Sequence, residues 1–203
     1  MSSKAYMQGR SSFLQLGARP QAMLWSDNPG TLQDSFYFPL GQEGTDFIIV
    51  SDHNRSAFQI SQERIENKKR MVNGGLRSYW IADKNRISSS WTNLPSRPFN
   101  ENVSFNSNGN PIQSNYTSHT VDGAAGGADM LAWYENTKGP FYLFLSYDKF
   151  GRNDSEERNI LSTYSQVIKV HFDSFSHSVE KRSGLTNSNG FDFWNIELAL
   201  EEA

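Results

Sequence analysis

Residues 164–182 read YSQVIKVHFDSFSHSVEKR, and residues 191–201 read FDFWNIELALE. In the first stretch Ile168, Val170 and Phe172 alternate with polar residues, the period of a strand with one buried face. After Asp173 the pattern changes phase, to Phe175, His177 and Val179. A regular strand cannot change phase, so the spacing predicts a bulge or bend at 173–174. Ile168, Val170 and Phe172 then face inward on one side of it, and Phe175 and Val179 on the other. Residues 183–190, SGLTNSNG, read as a turn. The chain returns with Trp194, Ile196, Leu198 and Leu200 on one face. The two stretches make a long, bent antiparallel pair, and they set the expectation of a mainly β fold.

The preceding segments extend that sheet. Residues 86–94 place Ile87, Ser89, Trp91 and Asn93 on one face, with Pro95 and Pro98 ending the pairing. Residues 76–82 are expected to pair with them across a short polar connection, Asp83-Lys84-Asn85. Residues 57–66 alternate Phe58, Ile60, Gln62 and Arg64 against Gln59, Ser61, Glu63 and Ile65. The apolar start and polar continuation suit a hairpin over 57–72 that leaves the core and projects outward. Its charged end is 66–70, ENKKR, and Asn73-Gly74-Gly75 marks a turn. Phe58 and Ile60 are expected to anchor its base.

Residues 45–50, TDFIIV, read as a short, apolar, β-branched strand and 141–147 as another strand, and a further strand is expected near 35–40. One helix stands out at 126–136, with Asp122 as N-cap, the apolar set Ala128, Leu131, Ala132 and Tyr134 with Met130 and Trp133, and Lys138-Gly139-Pro140 as stop. Residues 1–45 hold Pro20, Pro29 and Pro39 without a helical period, and read as an extended N-terminal segment or arm. Residues 99–120 form a long polar loop, and 149–157 a charged one. The chain reads as a single domain over 1–203. Its expected architecture is an antiparallel β-sandwich or barrel flanked by one short α-helix, with a projecting hairpin and long loops.

Composition narrows the function. Of 203 residues, 27 are Ser and 18 are Asn, which favours turns and strands over helix interiors. The 14 Phe, 8 Tyr and 5 Trp supply enough apolar mass for a core, which excludes global disorder. No apolar run approaches the roughly 18 residues of a membrane span, so no membrane partner is expected. Residues 1–17 contain no apolar stretch of signal-peptide type, so no secretory signal is expected. The absence of Cys excludes disulfides, zinc–thiolate sites and cysteine nucleophiles. A net charge of −3 argues against a protein whose main task is gripping nucleic acid.

Catalysis needs a constellation of groups, and the sequence offers none. His53, His119, His171 and His177 are not spaced as metal ligands in any familiar motif. His171 and Asp173 are alternate residues on one strand, which reads as ordinary strand polarity. No G-x-S-x-G elbow occurs. The small-residue run 122–129, DGAAGGAD, lacks the Lys-Ser/Thr of a phosphate loop and reads as a helix entry. The adjacent carboxylates Glu156 and Glu157, and Glu201 and Glu202, read as solvated edges. The sequons at Asn54, Asn102, Asn115 and Asn153 are expected by chance at this Asn and Ser content. No catalytic residue, cofactor site or metal site is therefore assigned, and the chain reads as non-enzymatic. The residues singled out are Arg64, Lys68, Lys69 and Arg70, as candidates for contact with an adjacent, acidic subunit.

The stretch 69–97, KRMVNGGLRSYWIADKNRISSSWTNLPSR, resembles tail proteins of tailed bacteriophages. So does the ending VEKRSGL (179–185) followed by FDFWNIELALEE (191–202). The resemblance covers about a third of the chain and is greatest to the tail tube subunit. It implies a β-sandwich or barrel with one helix, a projecting hairpin or loop, and six subunits closing a ring whose sheets line a lumen. The implied partners are further copies of the chain, the tape measure, terminator and distal tail proteins, and DNA in transit. The implied location is the virion tail, assembled in the host cytoplasm. Six copies at −3 carry −18 per ring, a sign that repels phosphate and lets DNA slide. The loop at 99–120 is longer than the tube pattern, which leaves a distal-tail, minor tail or baseplate role as an alternative. A second alternative is a carbohydrate-binding β-sandwich module presenting Trp25, Trp91, Tyr116 and Trp133 to solvent.

Overall fold

The computed structural model describes residues 23–33, 36–42, 44–98, 119–121, 123–145, 164, 166–182 and 190–203. Nine strands and one helix are defined among them: β1 (Met23–Ser26), β2 (Thr31–Gln33), β3 (Phe36–Phe38), β4 (Phe47–Val50), β5 (Gln59–Arg70), β6 (Leu76–Pro95), α1 (Gly127–Asn136), β7 (Phe141–Leu145), β8 (Gln166–Arg182) and β9 (Asp192–Glu202). Seven strands form one antiparallel sheet in the order β4-β1-β7-β8-β9-β6-β5, and β2 pairs with β3. The fold is mainly β, as the alternation predicts. Among the described residues no helix is long and apolar enough to cross a membrane.

The sheet curls on itself, and chain length requires it to. β4 lies at one edge and β6 beside the other, about 24 Å apart across five strand spacings if the sheet were flat. Yet Arg55, five residues beyond Val50, already bridges Trp91 on β6. Five residues reach at most about 18 Å. The edges are therefore drawn together, and Trp91 locks them: its Nε1–H donates to the Ser51 carbonyl at 2.7 Å. The enclosed core holds Trp25, Ile87, Trp91, Phe141, Ile168, Val170, Ile196, Leu198 and Leu200, with Met130 and Trp133 of α1 packed against them. Each such side chain contributes about 1.5–3 kcal/mol on full burial.

β1, β4 and β7 are buried on both faces, which hides their period. Leu24, Phe47, Ile49, Phe144 and Tyr164 form a second cluster, with Tyr37 of β3 packed on it. Within the segment 1–45 expected to be extended, Met23–Ser26 thus form an inner strand, while 1–22 lie outside the described residues. So do Asp122, residues 99–118, 149–157 and 183–189. The N-cap of α1 is Gly126, whose N–H donates to Asp129 Oδ2 at 3.0 Å. A Cβ at Gly126 would lie 2.6–2.7 Å from the backbone of residues 95–97, so only glycine fits there. The buried face of α1 is Gly127, Met130 and Trp133, whereas the expected Ala128 and Ala132 are exposed.

The bulge predicted at 173–174 is present: the β8–β9 register shifts between Phe172 and Ser174. Phe172 and Phe175 both pack on the core, but Val179, on the same face as Phe175, is exposed. The expected turn at 83–85 is absent. Residues 76–95 form one continuous strand, since Asp83 and Asn85 find partners across the sheet in Arg64 and Glu202 and nothing there demands a turn. Asn93 does not share the face of Trp91. It sits at φ +52° in a register shift that turns Leu94 inward instead. Asn93→Gly is therefore expected to be neutral or stabilising by up to about 1 kcal/mol, and Asn93→Val to cost about 1–2 kcal/mol, read from urea midpoints.

Candidate functional site

Among the described residues no group of three or more His, Asp or Glu is placed to hold a metal ion. His171 pairs with Glu201 in register, but Asp173 is the extra residue of the bulge, so the alternate pair is broken. Glu202 is structural: its Oε2 accepts from Asn85 N–H at 2.9 Å and from Asn85 Nδ2 at 2.7 Å. His177 stacks on Trp194, centroids 5.1 Å apart. Glu156, Glu157 and the sequons at Asn102, Asn115 and Asn153 lie outside the described residues. Trp25, Trp91 and Trp133 are buried, so they form no sugar-stacking platform in this chain, and Tyr116 lies outside the described residues.

His119 stacks on Phe191 at 4.2 Å. Burial and then the Arg97 charge hold its pKa below the usual histidine value. A pKa depressed by folding means that the unfolded chain takes up the proton first. Its contribution is complete above the ordinary value near 6.5 and is lost as pH falls below it. His119→Phe, which keeps the stack, is expected to flatten the fall of urea stability as pH drops below about 6.5. Asp27 is shifted upward, by burial and by the Asp46 charge.

What the fold does present is a two-stranded ribbon. β9 pairs with β6 only from Arg86 onward, so 76–85 have β5 as their sheet partner. Ten residues of strand extend about 34 Å. The tip closes as the Asn73-Gly74-Gly75 spacing predicts, with Gly74 at φ +80° and its N–H donating to the Met71 carbonyl at 2.9 Å.

The candidate contact residues all lie on β5, and the ribbon partly neutralises them. Arg64 Nε meets Asp83 Oδ1 at 3.1 Å, and Arg86 Nε meets Glu63 Oε2 at 2.9 Å. Lys68 pairs with Glu66, whose carboxyl is held below its usual range by hydrogen bonds from Lys68 and then Ser78. Lys69 and Arg70 form no ion pair among the described residues. Phe58 packs on the core, but Ile60 is 41% exposed and does not anchor the base as expected.

The exposed apolar residues crowd onto the same ribbon. Ile60, Ile65, Met71, Val72, Leu76, Tyr79, Trp80 and Ile81 are all exposed, the last three at 60–64%. The sequence reading passed over Tyr79-Trp80-Ile81 because it assigned 76–82 an in-domain partner. The available signal was three consecutive large apolar residues following a glycine turn and a run as charged as ENKKR.

No protein-family model and no curated protein matches the chain. Among solved structures, it is similar to a chain from the tail of an empty gene transfer agent particle with C6 symmetry. The two share 12% identity at a TM-score of 0.35, over 93% of this chain and 95% of that one. A likeness of that strength carries no argument.

Proposed function

We propose that the chain is a non-enzymatic structural subunit of the tail of a phage-like particle, and most specifically of a tail tube. Copies close into rings, six by the resemblance described above. The rings stack around a lumen through which DNA passes, alongside tape measure, terminator and distal tail proteins. One observation carries the assembly part of this reading: the β5–β6 ribbon is exposed and carries eight large apolar side chains among its charges. A two-stranded ribbon is marginal in water by itself. Eight exposed large apolar residues concentrated on it mark an interaction surface. The tube form rests on the sequence resemblance and on a net charge suited to letting DNA slide. A distal-tail or baseplate subunit of the same fold would use the ribbon in the same way.

Sedimentation velocity at rising concentration, followed by negative-stain microscopy, tests the proposal. Rings or stacked tubes are expected. A single 23.0 kDa species at every concentration contradicts the assembly reading, and closed dimers would refute the tube form.

A further inference from the structure

Three features of the ribbon, taken together, identify what it docks on and which residues hold it there. The first is a bulge. Ile65 pairs with Ala82 and Glu66 with Trp80, so Ile81 is an extra residue on β6. A bulge re-aims the side chains around it. Here it falls within Tyr79-Trp80-Ile81, of which a regular strand would set Tyr79 and Ile81 on one face and Trp80 on the other.

The second feature is charge. Residues 59–88 hold seven Lys or Arg and three Asp or Glu, net +4, in a chain whose total is −3. The rest of the chain therefore carries −7. The ribbon of one copy and the body of another are electrostatically complementary.

The third is the position of the aromatics. Trp80 lies five residues from Gly75, about 17 Å back from the turn. Lys68, Lys69, Arg70 and Arg77 lie between it and the tip. Burying the aromatics in a lipid layer would drag those charges into hydrocarbon, which is expensive. A protein surface imposes no such order of entry.

We infer that Tyr79, Trp80 and Ile81 anchor the ribbon on the acidic body of a second copy of this chain, and that the basic residues around them only steer its approach. The inference rests on the assembly reading above and moves the contact away from Arg64, Lys68, Lys69 and Arg70. The area is adequate. A ribbon about 34 Å long and about 10 Å wide offers about 700 Å² over its two faces, close to the ~800 Å² per partner of a standard interface. Tyr and Trp are the residue types that dominate such contacts, while exposed ion pairs are individually weak.

The test compares wild type with Tyr79→Ser/Trp80→Ser/Ile81→Ser and with Lys68→Glu/Lys69→Glu/Arg70→Glu, by sedimentation velocity at matched concentrations. None of the six positions is in the core, so both variants should keep the wild-type circular dichroism and Tm. Loss of assembly in the apolar variant, with the required concentration raised at least about a hundredfold, is expected. The charge-reversed variant should associate more slowly yet reach the wild-type end state. If wild type assembles and the apolar variant does so equally well, the inference fails and the assembly reading stands. A larger loss in the charge-reversed variant overturns it too. If wild type stays at 23.0 kDa throughout, the assembly reading itself fails. Vesicles of phosphatidylserine and phosphatidylcholine form the last arm: binding by wild type that the apolar variant loses would replace the second copy with a membrane.

Discussion

Trp91→Ala is expected to remove most of the chain's stability. Trp91 is fully buried, and its indole fills the enclosed core beside strands from both ends of the sheet order. Truncating a buried Trp costs about 3–5 kcal/mol in transfer and cavity terms. Its Nε1–H also satisfies the Ser51 carbonyl, which is buried where β4 leads toward β6. Losing that hydrogen bond adds about 0.5–1.5 kcal/mol. Against a typical total of about 5–15 kcal/mol, the variant should be largely unfolded or melt far below wild type. Trp91→Phe keeps most of the packing and loses the hydrogen bond, so a loss of about 0.5–1.5 kcal/mol is expected. Urea unfolding followed by far-UV circular dichroism measures both. A Trp91→Ala loss under about 1 kcal/mol would mean that the indole does not hold the curled sheet closed.

Removing the outer ribbon should do the opposite: leave the fold intact and abolish assembly. Gln62 and Asn85 are opposed in register, so replacing residues 63–84 with Asn-Gly closes the hairpin with a favoured two-residue turn. The excised segment contributes no residue to either core cluster. Its ion pairs, Arg64–Asp83 and Arg86–Glu63 among them, are exposed and worth about 0–1 kcal/mol each. Thermal unfolding should therefore stay within a few degrees of wild type, while sedimentation shows monomer alone. Retention of the assembled species by the shortened protein would show that the subunit contacts lie elsewhere.

The β-rich class, the paired strands at 164–182 and 191–201, the bulge at Asp173 and the Asn73-Gly74-Gly75 turn were all legible in the sequence. Each is written in local chemistry: a period of two, a phase change, or residues that tolerate a tight turn. What escaped was set by tertiary context. Met23–Ser26 is an inner strand of four residues buried on both faces, so alternation cannot reveal it. Asp83-Lys84-Asn85 resembled a connection because it is polar, but in an exposed ribbon polar residues make ordinary strand. The apolar set expected on α1 includes the buried Met130 and Trp133, but also Ala128 and Ala132, which are small enough to sit in solvent, and omits Gly127, which meets Trp194 closely. The cationic cluster drew attention as charge clusters do. The pairing of Arg64 with Asp83 depends on cross-strand register, which no local spacing gives, whereas Lys68 and Glu66 are alternate residues of one strand.

The central claim is that the β5–β6 ribbon is completed by another copy of the chain. Amide hydrogen exchange over residues 59–88, measured at low and at high protein concentration, tests it most directly. In a dilute monomer the outer ribbon amides should exchange rapidly, because two exposed strands open easily. At high concentration, 63–84 should become protected while the core strands β1, β7 and β9 change little. Equally fast exchange of 63–84 at every concentration, with the core protected throughout, would contradict the account.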